Sequence, residues 1–135
     1  MSGSSSNSEA DGRHLILVVD DEPAVRAMVL TSIRVKADLY RVIEAGNGSD
    51  AVSLAREKHP SLVLLDVALP DHDGFWVCRQ LKAEPTNAGM LVIMLTAMGL
   101  ASDREHAAAA GADGYIVKPF SPRALLEELA RRLPS

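Results

Sequence analysis

The chain has 135 residues, of which 47% are hydrophobic and 24% are charged, and its formal net charge is −4. This length suits one domain with a buried core, and the negative net charge argues against a basic surface that binds nucleic acid. The N-terminus is polar, no apolar run is long enough to span a membrane, and the single cysteine, Cys78, excludes an internal disulfide. We therefore expect one cytoplasmic domain that binds neither nucleic acid nor membrane directly.

The N-terminal segment, residues 1–13, is rich in Ser, Gly and Asn and has almost nothing to bury. It is predicted to be a disordered tail or linker, and the domain is predicted over residues 14–135. The first strand starts at Leu15, where the sequence LILVVDDEP gives five aliphatic residues and then Asp20 and Asp21. The pattern predicts a buried strand that ends in carboxylates.

A first helix is predicted from Pro23, because proline suits the first turn of a helix. Leu30 falls off the apolar stripe of this helix, which makes it a candidate exposed contact. A second strand is predicted over residues 39–44, and a second helix follows and ends near His59.

The central feature of the sequence is the aliphatic run of residues 62–65, which is typical of a strand covered on both faces. The run stops at Asp66, and Pro70 and Gly74 then mark a loop before a third helix. Ligands bind beyond the carboxyl ends of the strands in an open parallel sheet. Asp66 is therefore predicted to lie at the carboxyl-terminal edge of the sheet, where ligands bind and react.

The next apolar run, residues 90–95, predicts a fourth buried strand that leads into Thr96. Ser102 and Glu105 form a capping-box pattern, which predicts an alanine-rich fourth helix over residues 105–110.

The fifth strand is predicted over residues 115–117 and is followed by Lys118 and Pro119. Ser121 is a good N-cap, with Pro122 at the first position of the last helix. Five alternating strand–helix units predict an α/β fold with a single doubly wound, five-stranded parallel sheet and helices on both faces. The flavodoxin-like strand order 2-1-3-4-5 fits a chain this short.

This strand order brings together the residues at the strand ends, namely Asp20, Asp21, Asp66, Thr96 and Lys118. Clustered carboxylates repel one another unless a cation neutralises them, and their oxygens suit Mg²⁺ or Mn²⁺. An aspartate can accept a phosphoryl group covalently, while a metal ion, a lysine and a hydroxyl neutralise the transferring oxygens. The set therefore predicts a site for phosphoryl chemistry.

The motifs LVVDDEP, LLDVALPDHDG, MLTA and GADGYIVKPF, in this order, resemble those of response-regulator receiver domains, the CheY-like phosphoacceptor modules of two-component signalling. The resemblance covers residues 15–133 and implies a phosphorylation-dependent signalling switch rather than an enzyme with an external substrate. It implies that Asp66 is phosphorylated, and that Asp20, Asp21, Asp66 and the backbone carbonyl of Ala68 hold Mg²⁺.

By the same resemblance, Thr96 and Lys118 bind the phosphoryl oxygens, Thr96 and Tyr115 form the switch, and the Lys118–Pro119 peptide bond is cis. The phosphoryl group would come from a sensor histidine kinase or a histidine phosphotransfer protein. The face made by helix four, strand five and helix five would control a downstream protein or a fused output domain. Receivers that dimerise through this face often carry an acidic residue where this chain has Gly114, so we expect a monomer or a weak phosphorylation-dependent dimer.

Two positions that tune the loss of phosphate among receivers are occupied here by Ala68 and Met98. Neither side chain can orient a water molecule by hydrogen bonding. The resemblance therefore predicts that the phosphorylated state is long-lived.

Three alternatives compete with this interpretation. A haloacid-dehalogenase-like phosphatase needs a second carboxylate two residues after the nucleophile, and Ala68 occupies that place. A degenerate receiver that keeps the fold without the chemistry would be expected to lack one of the acids or the lysine, and all are present. The third alternative, a fragment of a longer regulator or hybrid kinase, stays open.

Overall fold

One parallel five-stranded sheet forms the centre of the molecule. The structure is a computed structural model that describes residues 12–97 and 101–134, without the side chains of residues 101–103. Its strands are paired in the order β2-β1-β3-β4-β5, which confirms the predicted fold class and topology. Most of the predicted tail, residues 1–11, lies outside the described residues. The strands are β1 His14–Val19, β2 Tyr40–Ala45, β3 Leu62–Asp66, β4 Leu91–Thr96 and β5 Gly114–Val117.

Helices alternate with these strands, and within the described residues three of them have side-chain caps at their N-termini. Asn47, Asp73 and Ser121 each accept a hydrogen bond from the backbone amide three residues later, which satisfies an otherwise unpaired helix N–H group. In the described part of the chain, no helix combines the length and apolar character that a membrane span requires. The helices are α1 Pro23–Arg34, α2 Gly48–Lys58, α3 Gly74–Ala83, α4 Ala101–Ala109 and α5 Pro122–Arg132, with a 3₁₀ turn at Pro85–Asn87.

The sheet is covered on both faces, and the alternation of side chains along each strand divides the core in two. On one face Val63 and Leu65 of β3 pack in a cluster with α2, α3 and α4, and on the other face Leu62 and Leu64 pack in a cluster with α1 and α5. All five residues of β3 are buried, as expected for a central strand of a doubly wound sheet. The apolar core thus fixes the position of Asp66 at the end of β3.

Two details of the helices differ from the sequence-based expectations. Leu30 is only 8% exposed, so the prediction that it is an exposed contact is wrong. Helix α1 packs against β2 and α5 as well as β1, so more of its surface is covered than one apolar stripe would predict. Helix α4 begins at Ala101, four residues before the predicted start at residue 105.

Candidate functional site

The register of the sheet brings the ends of four strands to one edge. Val19 pairs with Leu65, Asp66 pairs with Leu95, and Thr96 pairs with Val117. The residues at or just after these strand ends are the predicted site residues Asp20, Asp66, Thr96 and Lys118. The backbone continues this alignment beyond β5, because the amide of Lys118 donates to the carbonyl oxygen of Thr96 over 2.6 Å.

Three carboxylates meet at this edge. Asp20, Asp21 and Asp66 each offer one oxygen, and these oxygens all lie within 4.8 Å of one another. Asp20 is fully buried and Asp66 is 5% exposed, whereas Asp21 is exposed. The cluster is therefore buried on the side of Asp20 and Asp66 and open to solvent on the side of Asp21.

An open cleft of about 510 Å³ lies over the cluster. Its wall contains residues from each of the converging segments, so a small ligand in the cleft would reach all of them. The lining residues are Asp21, Glu22, Asp66, Val67, Ala68, Thr96, Ala97 and Lys118.

Lys118 supplies the positive charge of the cluster. Its Nζ lies 2.8 Å from Asp20 Oδ2, 3.4 Å from Asp66 Oδ1 and 3.9 Å from Glu22 Oε1. Burial alone would lower the pKa of the ammonium group, but the hydrogen bond to Asp20 and the charge of Asp66 outweigh it, so the pKa is raised. Lys118 is therefore a firmly protonated cation between two buried carboxylates.

The environment of Asp66 raises the pKa of its carboxyl group above the value of an ordinary, solvent-exposed aspartate. Burial is the main cause of its raised pKa, and the charge of Asp20 acts in the same direction. The amide of Ala68, which donates to Asp66 Oδ1 over 3.2 Å, and the nearby Lys118 oppose this shift. Asp66 is thus a carboxylate with incomplete charge compensation, oriented by the peptide unit that follows it.

Thr96 and Tyr115, the two residues of the predicted switch, lie on adjacent strands. Thr96 is 5% exposed at the end of β4, and Tyr115 is half-buried on β5. The guanidinium carbon of Arg104, on α4, lies 5.3 Å from the centre of the Tyr115 ring. Met98 lies outside the described residues, and the Lys118–Pro119 peptide bond is cis, as the resemblance implies.

Sequence reasoning missed the contribution of Arg26, which lies on the first turns of α1. Its Nη1 donates to the carbonyl oxygen of Asp20 over 2.6 Å, and its Nε pairs with Glu44 Oε1 at 3.0 Å. This side chain supports the backbone that presents Asp20 and Asp21. The only signal in the sequence was a basic residue one to two turns after the acidic pair.

The donor set fits a magnesium ion. Mg²⁺ prefers oxygen ligands and keeps several of its waters, so it binds best to a few carboxylates on the side of an open cleft. Asp20, Asp21 and Asp66 provide such oxygens, and the cleft wall includes Ala68, whose carbonyl is the fourth predicted ligand. A single lysine leaves the three acids with net negative charge, which a divalent cation would compensate.

A family model, the response regulator receiver domain, matches residues 16–130. The chain belongs to this family. Receiver domains act in two-component signalling, and they are signalling domains rather than conventional enzymes. The match includes β2 to β5, β1 from Ile16 onward, and the predicted site residues that the fold brings together, from Asp20 to Lys118.

Curated and solved relatives agree with this assignment. The chain is 46% identical over 110 residues to a probable transcriptional regulator, ycf27, of Porphyra purpurea, covering 82% of this chain and 43% of that protein. The chemotaxis protein CheY4 of Vibrio cholerae has a TM-score of 0.85 at 29% identity, covering 90% of this chain and 99% of CheY4.

A third relative carries a metal ion. The receiver domain of the sensor histidine kinase PA1611 from Pseudomonas aeruginosa has a TM-score of 0.82 at 32% identity, with 91% of this chain and 99% of that chain covered. Its structure contains a magnesium ion coordinated in the active-site cleft.

Proposed function

We propose that this receiver domain is a phosphorylation-dependent switch in which Asp66 accepts a phosphoryl group from a sensor histidine kinase or a histidine phosphotransfer protein. Mg²⁺ would be held by Asp20, Asp21, Asp66 and the carbonyl of Ala68. The observation that carries the proposal is the cleft in which the Asp66 carboxylate lies beside two more acids and 3.4 Å from the Lys118 ammonium.

In the proposed reaction an oxygen of the Asp66 carboxylate forms a bond to phosphorus, and the bond between phosphorus and the donor's histidine nitrogen breaks. The Lys118 ammonium and the Thr96 hydroxyl hold the phosphoryl oxygens, which lowers the cost of their charge as the group is transferred. Bound Mg²⁺ would neutralise further charge on the same oxygens. The side chain of Asp20 keeps Lys118 at the cleft through their 2.8 Å hydrogen bond.

The direct test is incubation of the chain with Mg²⁺ and a small phosphodonor, followed by intact mass spectrometry. One phosphoryl group should be added per chain, because Asp66 is the one acceptor that we propose. Chelation of the metal should prevent the addition. Phosphorylation that proceeds equally well in excess chelator would contradict the proposed site.

The downstream partner is proposed to be either an output domain in a longer protein or a separate protein. The chain spans less than half the length of the first curated relatives it matches, for example 43% of the transcriptional regulator from Porphyra purpurea. A cytoplasmic location and a monomer or weak dimer complete the proposal.

The proposed switch works through Tyr115. A phosphoryl group adds about −1.5 to −2 charges, and it would draw the Thr96 hydroxyl toward the cleft. Tyr115 would then move toward the vacated space, and its contact with Arg104 would have to change because Arg104 lies 5.3 Å over the ring. This change would alter the face formed by α4, β5 and α5.

Amide hydrogen exchange with and without beryllofluoride, a phosphoryl mimic, should therefore differ most between residues 96 and 120. The Asp66→Asn variant is the matched control, because it keeps the fold but offers the mimic no carboxylate. Changes confined to the immediate surroundings of Asp66 would rule out this route of signal transmission.

The lifetime of the phosphorylated state provides another prediction. Hydrolysis requires a water in line with the phosphorus, and the methyl group of Ala68, which lies exposed at the cleft, cannot orient one. Ala68→Asn introduces an amide that can, so we expect loss of phosphate to accelerate by up to about 10²-fold. The measurement is the decay of the phosphorylated mass after the phosphodonor is removed.

Ala68→Leu is the control for this prediction, since leucine has the same branched side-chain skeleton as asparagine and no hydrogen-bonding group. It should decay no faster than the wild type. Equal acceleration in both variants would mean that side-chain volume, rather than water orientation, sets the rate.

A further inference from the structure

The loop between β3 and α3, residues 67–73, is closed like a small hairpin next to the phosphoacceptor. The amide of Gly74 donates to the carbonyl oxygen of Val67 over 2.6 Å, and Ala68 and Asp73 form an isolated antiparallel bridge. The same loop contains the Ala68 amide that donates to Asp66 Oδ1. A shift of the loop would therefore move the Ala68 peptide unit, which contacts Asp66.

Asp71, near the tip of this loop, is bound to the start of a different helix. Its Oδ1 accepts from the amide of Gly48 over 2.8 Å, and its Oδ2 accepts from the amide of Ser49 over 2.9 Å. These are the first two residues of α2, whose amides have no partner within the helix. The third, Asp50, donates instead to the side chain of Asn47 over 2.8 Å. The N-terminus of α2 is thus capped jointly by its own N-cap and by the loop.

The lack of a side chain at Gly48 leaves room for this carboxylate at the start of α2. A Cβ atom at Gly48 would lie 3.2 Å from Asp71 Oδ1 and only 2.8 Å from a methyl carbon of Val77 on α3, so a larger residue would displace the Val77 side chain and crowd the loop. The hydrogen bond from Gly48 is the main cause of an Asp71 pKa far below the usual range of an aspartate. Asp71 is therefore a permanent anion at the positive end of a helix, which is a favourable position for negative charge.

We propose that Asp71 is a positioning residue for the metal- and phosphoryl-binding site: by anchoring the loop to α2, it holds the Ala68 carbonyl and the Asp66 carboxylate in the geometry that Mg²⁺ requires. The inference rests on the proposed function. Groups that orient metal ligands typically contribute about 10-fold to 100-fold to metal affinity. Asp71 does not reach the metal ligands itself, and it acts through residues 67–70 of the loop.

The test compares Asp71→Ala, Asp71→Asn and Asn47→Ala in the full chain labelled with ¹⁵N. Each is titrated with Mg²⁺ alone, and the dissociation constant is read from the amide signals of Val67 and Ala68. Asp71→Ala should weaken binding about 10-fold, near the lower end of the range for residues that support metal ligands. Asp71→Asn, which keeps one acceptor oxygen for the helix, should fall between this variant and the wild type.

Asn47→Ala is the matched control, because it removes a cap from the same helix end without touching the loop. It should lower the urea midpoint much as Asp71→Ala does and leave the dissociation constant for Mg²⁺ nearly unchanged. If Asn47→Ala and Asp71→Ala weakened Mg²⁺ binding equally, Asp71 would act only by stabilising α2, and the inference would be overturned. Equal weakening by Asp71→Asn and Asp71→Ala would overturn it too, since the charge alone would then explain the effect.

A metal-free measurement separates this inference from the proposed function. Without Mg²⁺, Asp71→Ala should speed the hydrogen exchange of the Ala68 and Gly74 amides relative to the wild type and to Asn47→Ala. Unchanged exchange would refute the anchor whether or not the wild type binds metal. A wild type that shows no response to Mg²⁺ would instead count against the proposed function.

Discussion

Replacement of Asp66 by asparagine is expected to abolish the Mg²⁺-dependent addition of a phosphoryl group. The amide has nearly the shape of the carboxylate, so the fold should persist, but it lacks the anionic oxygen that would attack phosphorus. Asp20 is not expected to take over this role, because it is fully buried and, unlike Asp66, is not among the residues that line the cleft. The measurement is the intact mass after incubation with Mg²⁺ and a small phosphodonor.

Asp38→Asn is the appropriate control for the loss of one negative charge, since Asp38 is exposed and lies outside the acid cluster. This variant should be phosphorylated like the wild type. Asp21 is the exposed acid of the cluster and the most accessible alternative acceptor. Phosphorylation of the Asp66→Asn variant to the wild-type level would therefore exclude Asp66 as the acceptor.

The centre of this site could be predicted from the sequence because strand ends in a parallel sheet are easy to locate. Each buried strand is an unbroken apolar run, and the first polar residue after it marks the edge of the sheet where ligands bind. This reasoning located Asp20, Asp66 and Thr96, and the structure brings them to one edge. Lys118 followed from the shorter fifth strand in the same way.

The supporting residues could not be predicted, because their partners are distant in the sequence and have no periodic pattern. Asp71 binds backbone amides 22 and 23 residues away, and Arg26 binds a carbonyl oxygen just after β1 and a carboxylate on β2. Backbone acceptors and donors leave no mark on the sequence. The burial of Leu30 was missed for a related reason, since it depends on how α1 packs against other elements rather than on α1 alone.

Lys118 also has a structural role, and Lys118→Met is expected to destabilise the metal-free protein strongly. The substitution keeps most of the aliphatic stem but removes the cation that lies 2.8 Å from the fully buried Asp20 and 3.4 Å from Asp66. Removing one partner of a buried ion pair typically costs about 3–5 kcal/mol, because the remaining charge stays buried without compensation. At neutral pH the free energy of unfolding, measured in urea, should fall by about this amount.

The Arg123–Glu127 pair on α5 provides the control for this last prediction. Its side chains are 87% and 68% exposed, so Arg123→Met should change the free energy of unfolding by less than about 1 kcal/mol. Added Mg²⁺ should recover part of the loss in Lys118→Met, because a divalent cation can compensate the same carboxylates. A Lys118→Met variant as stable as Arg123→Met in the absence of metal would show that Asp20 and Asp66 do not depend on the lysine for charge compensation.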